Sequence, residues 1–135
     1  MADTSELYAR GLRRRKKMFG KAEVEKRMAA SGEFGTPLQN IINAYVYGEV
    51  WEREGLSDAV RSLVMLAITA AGGRPAEFRV HTKGALVNGC TPAQVQDVLL
   101  LVAMYCGIPA AIETTQIAAQ IFGEASATSS GAAKP

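Results

Sequence analysis

Start and stop signals for helices follow one another at short intervals along this chain, and strand signals are almost absent. Gly20, the run "SGEFG" (31–35), Gly72-Gly73, Gly89 and Gly107 are stops. Thr36-Pro37, Ser57-Asp58, Pro75, Thr91-Pro92 and Pro109 are starts. Thr91 with Gln94 three residues later is a capping box. The punctuation predicts helices over Ser5–Lys17, Ala22–Ala30 and Pro37–Trp51. It predicts others from Ser57 to Gly72, from Pro75 to Gly89, from Thr91 through Tyr105, and from Pro109 to about Phe122. The expected fold is therefore all-α, with six or seven helices and short loops.

Two of these stretches, "AVRSLVMLAITAAGG" and "VQDVLLLVAMY", are apolar almost all round. Helices of that kind are buried on most sides. One is expected to form the core and the other to offer a face to a second subunit, so a homo-oligomer is expected. The longest apolar run, "VLLLVAMYCGIPAAI", is broken by Gly107 and Pro109 and is too short to span a bilayer. The start, "MADTSELYAR", lacks an apolar signal region. The reading is a cytoplasmic protein with no membrane partner. A single domain is expected over 1–123, followed by a Ser/Ala/Gly-rich tail, 124–135, expected to be disordered.

With 135 residues, 48% of them apolar, the chain can bury a core without disulfides or a structural metal. A net charge of +2 does not demand a nucleic-acid partner. The charge is uneven, however. Residues 1–30 hold nine Lys/Arg against four acids, with "RRRKK" at 13–17. No aromatic stacking platform accompanies the run, so the reading is a solvated helix face or one packed against an acidic neighbour. The two cysteines, Cys90 and Cys106, fit no metal or redox spacing.

His81 is the only histidine. Arg74 and Glu77 precede it by seven and four residues, which puts all three on one helical stripe with Ala85 and Asn88. Arg can bind a carboxylate through two parallel hydrogen bonds. A glutamate four residues before a histidine can accept its ring N–H and hold the imidazole. That is the equipment of a positioned acid/base. The same spacing also describes a polar stripe facing water, and the pattern alone leaves both readings open. In "YVYGEVWEREGLS", Glu49, Glu52 and Glu54 flank Trp51 and Arg53. Carboxylates buried near the Trp would have raised pKa values and serve as proton donors; a solvated helix end anchored by Trp51 is the alternative. Tyr105 and Cys106 place a phenol and a thiol ahead of the last helix, although a lone cysteine is more often a small apolar side chain.

Taken in order, "RRKKMFG", "YVYGEVWEREGLS" with "RSLVMLA", "RPAEFRVHTKGALVNGCT" and "AMYCGIPAA" resemble the carboxymuconolactone decarboxylase family, over roughly residues 5–123. The resemblance implies an all-α, alkylhydroperoxidase-like fold, no cofactor, and a ring of subunits, trimeric or hexameric. It implies decarboxylation of a small lactone carboxylic acid in aromatic-acid catabolism, 4-carboxymuconolactone to β-ketoadipate enol-lactone or a related lactone. Thiol peroxidases of the same superfamily carry Glu, eleven residues, Cys, two residues, Cys, three residues, His. With that His set on His81, Arg74 and Glu77 stand where the cysteines would be, and Ser62 stands at the glutamate. The thiol machine is missing. A redox protein of the same fold and a non-catalytic helical oligomer remain the competing expectations. The sequence departs from the family where an Asn tends to follow "GIPAA"; here that residue is Ile112.

The implied substrate is a butenolide with a carboxylate on its γ-carbon. Departure of CO2 sends an electron pair through the ring double bond to the lactone oxygen, so the substrate is its own electron sink and neither a cofactor nor a metal is called for. On this resemblance His81 returns the proton or serves the oxygen. Arg74 holds a carboxylate or the oxyanion, Glu77 orients His81, and Glu49 is a second candidate acid. Trp51, Tyr105 and Cys106 line the pocket.

Overall fold

The structure, a computed structural model, describes residues 3–133. Those residues form helices and turns, with no strand among them. In order they are α1 (Thr4–Phe19), α2 (Lys21–Ile41), a π-helical segment (Ile42–Val50), α3 (Asp58–Ala71), α4 (Pro75–Val87), α5 (Pro92–Cys106) and α6 (Ile108–Ala133). The chain divides into two compact units, Met1–Asp58 and Ala59–Pro135.

In the first unit, Asp3 caps α1 by accepting from the Ser5 amide at 3.2 Å, and Gly20 ends it at φ 91°. The predicted break at "SGEFG" is present as a kink at Gly32, with φ 60° and ψ −168°. The helix resumes at once instead of waiting for Thr36, so Pro37 lies inside a helix and not at its start. Gln39 bridges the kink by donating to the Ser31 hydroxyl at 3.0 Å. From Ile42 the winding loosens to the π form, in which N–H groups reach back five residues. The Trp51 amide still does so, donating to the Val46 carbonyl at 2.9 Å.

Backbone holds this unit together as much as side chains do. A Cβ on Gly11 would collide with the Asn43 carbonyl and come within 2.6 Å of the Gly48 nitrogen; one on Gly48 would collide with the Leu7 carbonyl. The guanidinium groups of α1 use that closeness. Arg10 Nε donates to the Gly48 carbonyl at 2.8 Å. Buried Arg15 donates to Gln39 at 2.8 Å and Asn43 at 3.1 Å, and lies 5.9 Å from the centre of the Tyr47 ring. Desolvation pulls its pKa below the usual arginine value. Arg14 spans Glu52 and Asp58, each at 2.9 Å. The basic run is thus only partly a solvated face: Arg13 and Lys17 are exposed, while Arg14 meets the acidic neighbours and Arg15 is interior.

In the second unit, Leu66, Phe78, Val95, Leu99, Val102, Ile117 and Ile121 anchor a core drawn from all four helices. The predicted punctuation holds here. Pro75 opens α4, Gly89 closes it at φ 92°, and the Thr91–Gln94 capping box is closed in both directions, at 3.2 and 2.9 Å. Helix α6 runs past Phe122 to Ala133, so residues 124–133, read from composition as a disordered tail, continue it. The stretch is rich in Ala, the strongest helix former, and has no Pro before 135. Positions 134–135 lie outside the described residues.

Two predictions follow from the first unit. Gly11→Ala should cost about 2 kcal/mol or more despite Ala's better helix propensity, because the methyl meets backbone that cannot rotate away; urea denaturation measures it. The second concerns acid. The hydrogen bond from Arg14 holds the Glu52 carboxyl below its ordinary value of 4.5. A carboxylate lowered in the folded state contributes stability above its unfolded pKa and loses it as pH falls through the folded value. Glu52→Gln should therefore flatten the loss of stability below about pH 4.5, read from denaturation midpoints across the acid range.

Candidate active site

Helix α4 carries the stripe that the sequence singles out. Pro75 at its start presets the backbone for a helix, and Phe78, fully buried, fastens its second turn into the core. Thr82, also fully buried, returns its hydroxyl to the Phe78 carbonyl at 2.7 Å. His81 lies between these two anchors and is only 7% exposed. At the far end of the helix, Asn88 donates to the Ser62 hydroxyl of α3 at 2.9 Å, which fixes the end of α4 against α3. His81 is therefore an interior imidazole on a firmly held helix, not a residue on a wet face.

Its sequence companions differ from it. Arg74 is the residue just before α4, with φ −117° and ψ 70°, and it is exposed; Glu77 is exposed as well. The stripe thus begins in solvent and turns inward at His81, with Ala85 fully buried after it. Tyr105 and Cys106, at the end of α5, are exposed, Tyr105 to 86%. In the first unit Trp51 is buried, stacked on Tyr47 at 5.9 Å between ring centres, with Phe19 edge-on to Tyr47 at 5.7 Å. Glu49 is exposed. The expectation of raised carboxyl pKa values beside Trp51 is corrected at Glu52, where Arg14 shifts the carboxyl the other way.

Burial adds polar groups that the sequence pattern does not single out as site residues. Arg61 and Ser62, at the start of α3, are buried, and so is the Thr114 hydroxyl of α6. A charged residue inside an otherwise apolar helical run was the available signal for Arg61. The second unit also has an apolar groove of about 260 Å³ between α5 and α6, lined in part by Leu99, Ala103, Ala111, Thr115 and Phe122. None of the sequence-predicted site residues lines it. Among the described residues no three His, Cys, Asp or Glu side chains are grouped to hold a metal, and no helix is long and apolar enough to cross a membrane.

Cys90 is buried, with its thiol directed at the Ala59 carbonyl at 3.2 Å, and desolvation raises its pKa. A redox thiol needs the opposite shift.

The chain is 33% identical over 115 residues to the 4-carboxymuconolactone decarboxylase of Acinetobacter baylyi, covering 85% of this chain and 86% of that protein. It is 35% identical over 107 residues to the nitrosuccinic acid decarboxylase npaB of Metarhizium robertsii, covering 79% and 75%. It also matches an uncharacterized 15.0 kDa protein of Paracoccus denitrificans, 28% identical over 80 residues, covering 58% and 60%. Residues 36–120, which hold the π-helical segment, all of α4 and His81, match the carboxymuconolactone decarboxylase family, and the chain belongs to that family.

Proposed function

We propose that this chain is a cofactor-free carboxy-lyase that removes CO2 from a small carboxylic acid, a γ-carboxylated butenolide or a related acid, with His81 as the proton donor. The observation that carries this reading is the burial of the one imidazole on α4, inside the region that matches the family. The names of two relatives support the reaction class. Their named substrates share one chemical property. Each carries a group able to delocalise the pair left by departing CO2, a lactone or a nitro group.

The step balances on the substrate. The bond from the ring carbon to the carboxylate breaks, and its electrons move through the ring double bond to the lactone oxygen. They then return to carbon as a proton arrives from His81. A positioned general acid contributes about 10²–10⁴-fold. Burial favours this role, because a proton donor away from bulk water interacts more strongly with a growing negative charge. Within the second unit, Arg74 holds a substrate carboxylate, Glu77 orients the imidazole, and Tyr105 and Cys106 wall the pocket. A cytoplasmic setting and a role in aromatic-acid catabolism belong to the same reading.

Arg74, Glu77, Tyr105 and Cys106 are exposed in the single chain, so these roles require a second copy to cover them. Apolar residues are available for that contact. Val60, Val64 and Ile68 follow one another at helical spacing on α3, and Leu100, Leu101 and Met104 are exposed on α5.

His81→Ala should lower kcat/KM by about 10²–10⁴-fold, read from CO2 release and loss of lactone absorbance on a carboxylated lactone. Cys106→Ser should leave turnover close to that of the unaltered chain. Full activity without the imidazole would overturn the assignment, and peroxide turnover that depends on Cys106 would replace it with the redox reading. Sedimentation velocity should give a mass that is a multiple of 14.4 kDa; a monomer with full activity would remove the covering copy from the mechanism.

A further inference from the structure

The proposed reaction makes no use of a concave basic surface on the first unit. Arg10, Arg13, Arg14 and Lys17, all on α1, line a cleft of about 220 Å³ together with Glu52. The two carboxylates at Arg14, Glu52 and Asp58, leave two of the four positive charges uncompensated. Two of the cations are already held in place. Arg10 is bound through Nε and Nη2 to the Gly48 carbonyl, and Arg14 through Nε to Glu52 and Nη1 to Asp58. Those bonds leave Nη1 of Arg10 and Nη2 of Arg14 available as donors. Arg13 and Lys17 are exposed four residues apart on one helix face, and neither forms an ion pair among the described residues. Like charges at that spacing repel and destabilise the helix on which they stand.

We infer that this α1 cleft is a binding site for a phosphate-bearing dianion, inorganic phosphate or a phosphomonoester, separate from the chemistry assigned to His81. The charge matches, since a dianion cancels the excess. The donors match as well. Guanidinium groups fixed in advance give directed N–H bonds, a lysine adds a mobile point charge, and a tetrahedral phosphate accepts from several directions at once. Among the described residues no aromatic side chain lines the cleft to stack a base, which favours a compact anion over a nucleic-acid strand. Binding would also relieve the repulsion between Arg13 and Lys17.

The test is titration calorimetry of the full chain with sodium phosphate, at an ionic strength held constant with sodium chloride. The expected result is saturable binding at one site per chain. In the double variant R13Q/K17Q, phosphate affinity should fall tenfold or more, while decarboxylase turnover and the melting temperature without phosphate should not fall. Heats indistinguishable from those of chloride would overturn the inference, as would unchanged phosphate affinity in the double variant. Tighter binding of succinate than of phosphate would overturn the assignment to phosphate. Displacement of phosphate by a single-stranded oligonucleotide, with affinity falling steeply with salt, would show a nucleic-acid surface instead.

Discussion

The backbones of α1 and the π-helical segment meet at Gly11 and Gly48 with no room for one additional carbon on either. That approach sets the register of all of α1. Arg10, next to Gly11, reaches the Gly48 carbonyl; Arg14, one turn on, reaches Glu52; Arg15 reaches Asn43. Hydrogen bonds to charged groups contribute about 1.5–3 kcal/mol each and depend steeply on geometry. Parting the two helices would strain all three together. The π winding belongs to the same arrangement. It holds Asn43, Ala44, Tyr47 and Gly48 against neighbours while Trp51 closes the end of the segment on the Tyr47 ring. The basic cleft is a by-product of this packing, because the bonds that fasten Arg10 and Arg14 also aim their remaining donors outward.

The second unit works by a different constraint, the fastening of α4. Phe78 anchors the helix in the core, Thr82 is satisfied by the helix's own carbonyl, and Asn88 ties its end to Ser62. An imidazole between these anchors has few rotamers left to explore, so the entropy of positioning it is spent on folding. Arg74 and Glu77 lie before the first anchor and face water. In water a charge four ångströms away is worth only about 1 kcal/mol, against several in a less polar setting. The three side chains share a stripe but not an environment.

Much of the second unit was legible because its boundaries are local chemistry. Pro75, Gly89, the Thr91–Gln94 box and Gly107 each act within a few residues, and each boundary stands where the signal put it. The first unit was less legible. "SGEFG" marks the kink correctly, yet the helix resumes before Thr36-Pro37, and no residue type announces a π-helical segment. That winding accompanies the meeting of Gly11 with Gly48, thirty-seven positions apart, which no short window along the chain contains. The same holds for the site. Spacing put Arg74, Glu77 and His81 on one stripe, but spacing does not say where along a stripe solvent ends. The lowered pKa of Glu52 depends on a partner distant in sequence, Arg14, for the same reason.

Ile112, where the resemblance leads one to expect an Asn, brings these constraints together. Ile112 is 53% exposed near the start of α6, and Ile108, one turn earlier, is 57% exposed. An apolar side chain in water gains nothing there, and covering it is favourable at about 25 cal/mol per Å². In place of an amide it removes a hydrogen-bonding partner and adds a reason for that surface to be covered. If the covering body is a second copy, a substrate held between the copies meets an aliphatic wall where an Asn would present an amide. That exchange penalises substrates needing a hydrogen bond at that point far more than it penalises apolar ones, since an unpaired buried polar group costs about 1–3 kcal/mol. On the proposed reading, covering Ile112 would bear on substrate choice, and the proton chemistry proposed for His81 would stand unchanged.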